Sequence, residues 1–203
     1  FGNLLIGLEY IFNQSGPMTM GASQVCGFLK SDPSRATPNL QFHVQPISTD
    51  ILGATKMHDF DGITPTIANI RPTSRGEINI KSNDSRDNPK IKMNYLSTQE
   101  DRDIAAKSLK IVRKIMLETN AFKKYEPEEY RPGIHITNDE ELVQAGSEHT
   151  QTIFHPVGTC KMGNGDDSVV DEKLKVRGLE NLRVIDASIM PNITSGNTNA
   201  PTI

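Results

Sequence analysis

Tryptophan is absent from this 203-residue sequence, and cysteine occurs only twice, as Cys26 and Cys160. Two cysteines so far apart form no C-x-x-C pair, so the sequence suggests neither a zinc site nor a disulfide framework. The spacings of His149, His155 and Cys160 match no common zinc pattern either. We therefore expect no metal ion and a reducing compartment, the cytoplasm.

A strong excess of one charge is also missing. Lysine and arginine total 22 against 25 aspartates and glutamates, which gives a net charge of -3. A nucleic-acid-binding protein needs a basic face or stripe, so we expect no nucleic-acid partner. The longest apolar stretch, near residues 4–12, is much shorter than the roughly 20 residues that cross a bilayer. We expect no transmembrane segment in this chain.

Two further features are lacking, an initiator methionine and a G-x-G-x-x-G fingerprint. The chain begins at Phe1 and stops at Ile203 in an apolar run without a helix cap, so we expect a piece of a longer protein. The segment Gly163-Asn-Gly165-Asp-Asp-Ser168 fails the dinucleotide-binding pattern at its third glycine. The part that would hold an adenine nucleotide is therefore expected to be missing.

The patterns that are present predict an α+β fold. Helical spacing of apolar residues covers 4–12, and period-two alternation predicts antiparallel strands in the ranges 41–46, 63–70, 77–81 and 90–95. A capping box at Ser97–Glu100 begins a helix lasting to about Glu118, and Asn138 caps a second one. The apolar run Leu182–Ile185 suits a buried strand. We expect an antiparallel sheet covered by helices.

His155 is the residue best suited to chemistry. It follows an Ile-Phe pair and precedes Pro156, which favours an extended backbone, and Gly158 and Thr159 form a turn behind it. Imidazole titrates near neutral pH, so a histidine held on such a loop can take the proton of an alcohol hydroxyl. A structural histidine bonded to a carbonyl remains the alternative.

A second set of candidates lies near the end of the chain. Asp186 ends the apolar run, where an acid can hold a ribose or a backbone turn, and Ala187 behind it is small. Gly196, Asn197 and Asn199 offer backbone and amide donors where a helix begins. A simple helix cap made by Asn197 is the other interpretation.

Together, the segments 152–163 and 182–202 resemble the carboxy-terminal signature of the glucose-methanol-choline oxidoreductases. The residues that carry the resemblance are His155-Pro-Val-Gly-Thr159, Asp186-Ala-Ser188 and Gly196-Asn-Thr-Asn-Ala-Pro201. The segments 71–76, 89–95 and 100–101 also look like this family's substrate domain. The similarity is greatest to the branch called choline dehydrogenase-like or bacterial alcohol dehydrogenases.

The resemblance implies a division of the chain and a cofactor. Residues 1–150 would form the substrate-binding domain, and residues 151–203 the carboxy-terminal return segment of a split FAD-binding α/β domain. His155 and Asn197 would be catalytic, with His155 as the base. Asp186, Ala187, Asn199 and Ala200 would wrap the FAD.

The implied reaction is the oxidation of a primary alcohol, choline-like or aliphatic, by hydride transfer to FAD. The resemblance favours a quinone or another carrier as electron acceptor, which adds the periphery of the inner membrane as an expected location. The isolated chain is expected to be inactive. A hydroxynitrile lyase and a non-catalytic flavin-binding protein of the same fold are the alternatives.

Overall fold

The computed structural model describes residues 2–21, 23–50 and 56–203. Its helices and small sheets give the α+β architecture that the patterns predict. The chain divides into two units, one formed by 1–27 and 42–66 and the other by 28–41 and 67–203. No helix among the described residues is long and apolar enough to cross a membrane.

The first unit begins with the predicted amino-terminal helix, α1 (Gly2–Asn13). A 3₁₀ turn follows at Pro17–Thr19, where the proline suits the first position because its missing N–H has no partner to lose there. Gly16, with φ 85°, supplies the left-handed backbone between the two helices. Apolar side chains of α1 are exposed, among them Leu4, Ile11 and Phe12.

Three strands form one sheet in the order β1 (Val25–Leu29), β2 (Leu40–Gln45) and β3 (Thr64–Asn69). β2 is the central strand, and most of its residues are buried. Pro65 fits β3 because an edge strand leaves some N–H groups unpaired. The prediction missed β1, whose sequence Val-Cys-Gly-Phe-Leu does not alternate and contains a glycine.

A separate hairpin pairs β4 (Glu77–Asn79) with β5 (Lys90–Lys92) in antiparallel register, with Ile78 opposite Ile91. The prediction of strands here is confirmed, but every residue of both strands is exposed. The predicted strands therefore belong to two sheets and not to one. The hairpin is paired only with itself among the described residues and buries neither face.

The helical part consists of α2 (Gln99–Arg113), a π-helical turn at Lys114–Glu118, α3 (Asn120–Lys123) and α4 (Asp139–Ser147). α2 packs against α4, and Ile104, Ala106 and Leu142 are buried. The Asn138 side chain accepts hydrogen bonds from Glu140 N and Glu141 N, which confirms the predicted cap of α4. The cap of α2 is Thr98, one residue after the predicted Ser97.

A half-buried ion pair fixes the loop between α3 and α4. The guanidinium of Arg113 donates to both carboxylate oxygens of Glu129, at 2.7 and 2.8 Å. The same guanidinium donates to Ile136 O at 2.7 Å and to Gly133 O at 2.9 Å. Because an arginine bonded in this bidentate way has a defined orientation, the loop is held against the end of α2.

Asp101, in the first turn of α2, is a buried carboxylate with an exposed fraction of 4%. Its Oδ1 accepts from Thr73 N at 3.0 Å and from Asn69 Nδ2 at 3.1 Å, and its Oδ2 accepts from Ser74 N at 2.8 Å. Burial raises the pKa of Asp101, but the hydrogen bonds from Ser74 and Thr73 outweigh it and leave the pKa below the ordinary 3.8. The ionised carboxylate therefore joins the segment after β3 to α2.

We predict that Asp101→Asn lowers the free energy of unfolding by about 2–4 kcal/mol, because an amide cannot accept from all these donors and leaves some of them unpaired. A carboxyl whose folded pKa is depressed stabilises fully above its unfolded pKa and loses that contribution as the pH falls through the folded pKa. The deficit should thus shrink below pH 3.8. Denaturant unfolding between pH 7 and pH 2 measures both effects.

The control is Asp103→Asn, on the same helix but exposed. Its change should be about 0.5 kcal/mol or less. Equal losses in the two variants would contradict the role assigned to Asp101.

Candidate active site

His155 lies on a loop that is fastened by main-chain hydrogen bonds. Gly158 N and Cys160 N both donate to Ser188 O, at 3.1 and 3.0 Å, and Met162 N donates to Ile189 O at 2.8 Å. Phe154, directly before the histidine, has φ 65°, a left-handed conformation that costs a bulky residue energy. These main-chain hydrogen bonds hold the loop, and with it the imidazole, in place despite the strain at Phe154.

Both ring nitrogens of His155 are in hydrogen-bonding contact with the segment 197–198. Its Nε2 lies 2.8 Å from Nδ2 of Asn197. Its Nδ1 lies 3.1 Å from Oγ1 of Thr198 and 3.4 Å from the main-chain N of the same residue. The structure therefore brings together the two residues that the sequence predicts as catalytic, although 42 positions separate them.

Asn197 has a second contact that the sequence analysis did not anticipate. Gln41, a buried residue of β2, donates from its Nε2 to Oδ1 of Asn197 at 2.9 Å. The residue that caps the following helix, α5 (Asn199–Thr202), is Thr198 and not Asn197. The interpretation of Asn197 as a helix cap is thus wrong, and its amide is committed to His155 and Gln41.

The other predicted residues lie on two short helices in contact with each other, the 3₁₀ helix Ala187–Ile189 and α5. Asp186 caps the first of them, since its Oδ1 accepts from Ser188 N at 2.8 Å. The hydrogen bonds from Ser188 hold the pKa of the exposed Asp186 carboxyl below its ordinary value. Asn199 and Ala200 are the first residues of α5, and both are exposed.

The expected buried strand at Leu182–Ile185 is not found. Leu182 is 48% and Ile185 72% exposed, and the segment pairs through one bridge, between Arg183 and Lys175. Apolar residues form a buried strand only where neighbours cover them, and among the described residues the segment has a partner on one side only. Asp186 consequently follows an exposed segment and not the end of a sheet strand.

Sequence reasoning missed Gln41 and Thr198. Gln41 lies 156 positions before Asn197, and no local pattern marks a glutamine in an alternating strand as part of a site. Thr198 stands between two asparagines that drew attention, and its burial at 6% exposure was not visible from the sequence. Among the described residues, no three His, Cys, Asp or Glu side chains are grouped so that they could hold a metal ion.

Comparison with known proteins identifies the family. The model of the GMC oxidoreductase family matches residues 72–203, which is more than half of the chain. An alcohol dehydrogenase (acceptor) of Pseudomonas putida is 46% identical over 200 residues, which make up 98% of this chain and 36% of that protein. The chain belongs to the GMC oxidoreductases, and it spans about a third of the length of such curated relatives.

Other relatives agree with this assignment. An oxygen-dependent choline dehydrogenase of Proteus mirabilis is 41% identical over 198 residues, 98% of this chain and 35% of that protein. Among solved structures, a formate oxidase superposes with a TM-score of 0.85 at 25% identity and covers 98% of this chain and 39% of its own. A pyridoxine 4-oxidase from Mesorbium loti gives 0.74 at 26% identity, over 89% of this chain and 36% of its own.

We predict that Gly158→Ala destabilises the loop that carries His155. Gly158 has φ 92°, and an L-residue in left-handed backbone costs about 1–2 kcal/mol. The matched control is Gly163→Ala in the same loop, where an added Cβ would make an ordinary contact of 3.4 Å with Ser168 Cβ. Denaturant unfolding should separate the two variants, and equal stabilities would contradict the prediction.

Proposed function

We propose that the protein oxidises a primary alcohol, choline-like or aliphatic, to the aldehyde, with His155 as the base. The observation that carries the proposal is the 2.8 Å approach of Asn197 Nδ2 to His155 Nε2. This contact places His155 Nε2, a nitrogen that can accept a proton, beside the N–H donor of the Asn197 amide. An alcohol oxygen bound next to both atoms can lose its proton to the first and be held by the second.

The contact on the other side of the ring supports the same role. When Nε2 takes a proton, the imidazole becomes a cation, and its Nδ1–H can donate to Thr198 Oγ1 at 3.1 Å. Asn197 stabilises the negative charge that grows on the substrate oxygen, because an amide N–H is a fixed donor. A neutral amide is a poor base, so the proton transfer belongs to His155.

We propose FAD as the cofactor, which would supply the hydride acceptor. The residues available for it fit a large planar ligand: Ala187 and Ala200 are small, and Ala200 and Asn199 are exposed. The Asn199 side chain makes no hydrogen bond to other described residues, so its amide is free to bind a ligand. Asp186 fits as the residue that shapes the turn before Ala187, since its carboxylate is bound to Ser188 N.

The proposal also assigns each part of the chain to a domain. Residues 1–150 would contribute to the substrate-binding domain and residues 151–203 to the FAD-binding domain. We propose a quinone or another carrier as the electron acceptor: the name of the relative at 46% identity contains the word "acceptor", and the relative at 41% identity, named oxygen-dependent, represents the alternative. A quinone would bring the protein to the periphery of the inner membrane.

We predict that His155→Ala lowers kcat/KM by about 10²–10⁴, the usual contribution of a general base, and leaves the bound flavin in place. The measurement is anaerobic bleaching of the oxidised-flavin band of the full-length protein by a panel of primary alcohols that includes choline. His149→Ala, an exposed histidine just before the loop, is the control and should keep its rate.

Each other outcome has a defined meaning. A flavin band that no alcohol bleaches in the unmodified protein would reject alcohol oxidation and favour the lyase. No flavin band at all would reject the cofactor. Full turnover in His155→Ala would reject the assigned base.

A further inference from the structure

The two nitrogens of the His155 ring differ in what their partners permit. Near Nδ1, Thr198 offers a hydroxyl, which can donate or accept, and a more distant main-chain N–H. The hydroxyl at 3.1 Å fits either neutral tautomer, whereas the main-chain N–H, at the longer distance of 3.4 Å, favours a lone pair on Nδ1. The contact at Nε2 is shorter, at 2.8 Å, and therefore has the greater weight in the choice between the tautomers.

At Nε2 the partner is the amide of Asn197, which can face the ring in two ways. With Nδ2 toward the ring at 2.8 Å, the amide donates, and Nε2 must carry a lone pair. With Oδ1 toward the ring, the amide would accept, and Nε2 would have to carry the proton. The direction of one side-chain amide thus decides which nitrogen is basic.

Gln41 fixes that direction. Its Nε2 donates to Asn197 Oδ1 at 2.9 Å, so the oxygen of Asn197 faces Gln41 and its Nδ2 faces the histidine. Gln41 is 3% exposed on the central strand β2, whereas Asn197 lies at the surface. Because a buried side chain has less room to turn than an exposed one, we infer that Gln41 orients Asn197 and not the reverse.

We propose that Gln41 is a positioning residue that sets the tautomer of His155 through Asn197. Among the described residues, the groups that hydrogen bond to the ring belong to Asn197 and Thr198, which are uncharged, as is Gln41. This arrangement leaves Nε2 as the proton acceptor and Nδ1–H as the donor to Thr198. The catalytic meaning of this inference rests on the proposed function, but the tautomer itself does not.

The test is to reverse the hydrogen bond between residues 41 and 197 with Gln41→Glu. A carboxylate only accepts, so Asn197 should turn its Nδ2 toward residue 41 and its Oδ1 toward the ring, and the proton should move to Nε2. The ¹⁵N chemical shifts of labelled histidine in the full-length protein distinguish the two tautomers, and the signals of His155 are those lost in His155→Ala. We expect Nδ1–H in the unmodified protein and Nε2–H in Gln41→Glu.

Two companion variants keep the test decisive. Gln45→Glu places the same substitution at another buried glutamine of β2, which donates to Ser23 Oγ, and should leave the His155 tautomer unchanged. Gln41→Met can neither donate nor accept, so it should give a mixture of both tautomers. If Gln41→Glu does not fold, the His155 tautomers found in Gln41→Met test the proposal.

Activity gives a second readout. With the wrong nitrogen protonated, kcat/KM in Gln41→Glu should fall by about 100-fold or more while the flavin stays bound. An Nε2–H tautomer in the unmodified protein, or the same tautomer in it and in both Gln41 variants, would overturn the inference. If the tautomers behave as expected but no alcohol bleaches the flavin, the proposed function fails and this inference stands.

Discussion

One buried carboxylate, that of Asp101, joins the end of β3 to α2 and fixes the segment between them. Its oxygens accept hydrogen bonds from Asn69, Thr73 and Ser74, so the chain leaving β3 is pinned to the first turn of α2. Arg75, directly after Ser74, donates to Asn192 Oδ1 at 2.7 Å, and Asn192 lies five residues before Asn197. This hydrogen bond links the segment that Asp101 holds to the segment that carries Asn197. A carboxylate suits this task because each oxygen accepts more than one bond.

Uncharged side chains surround the imidazole of the site. Glutamine, asparagine, threonine and histidine are joined by hydrogen bonds of 2.8 to 3.1 Å, and no carboxylate is bonded to the imidazole among the described residues. An acid beside the ring would favour the charged imidazolium before a substrate arrives. Uncharged partners orient the ring without placing a negative charge beside it, which suits the base proposed for this site.

Much of the fold was predictable where local chemistry decides it. Asn138 followed by three acidic residues predicts α4 and its cap, and alternation predicts β2 to β5. Prediction failed where residues distant in sequence determine whether a segment forms a strand or is buried. β1 is a strand because β2 lies beside it, and Leu182–Ile185 is exposed although its composition suits a core.

Within the site, His155 and Asn197 were found through motifs. Gln41 was not, because its contribution exists only once 156 positions of chain have brought it to Asn197.

The exposed hairpin of β4 and β5 has a consequence for solubility. Two paired isoleucines on strands open to solvent are a starting point for edge-to-edge association between molecules. Each strand has only three residues, and Lys90, Lys92 and Glu77 flank the isoleucines. A second molecule adding a strand here would find few main-chain groups to pair with and would meet charge on both sides of the apolar pair. Short strands and flanking charges thus limit how far such strand pairing could extend.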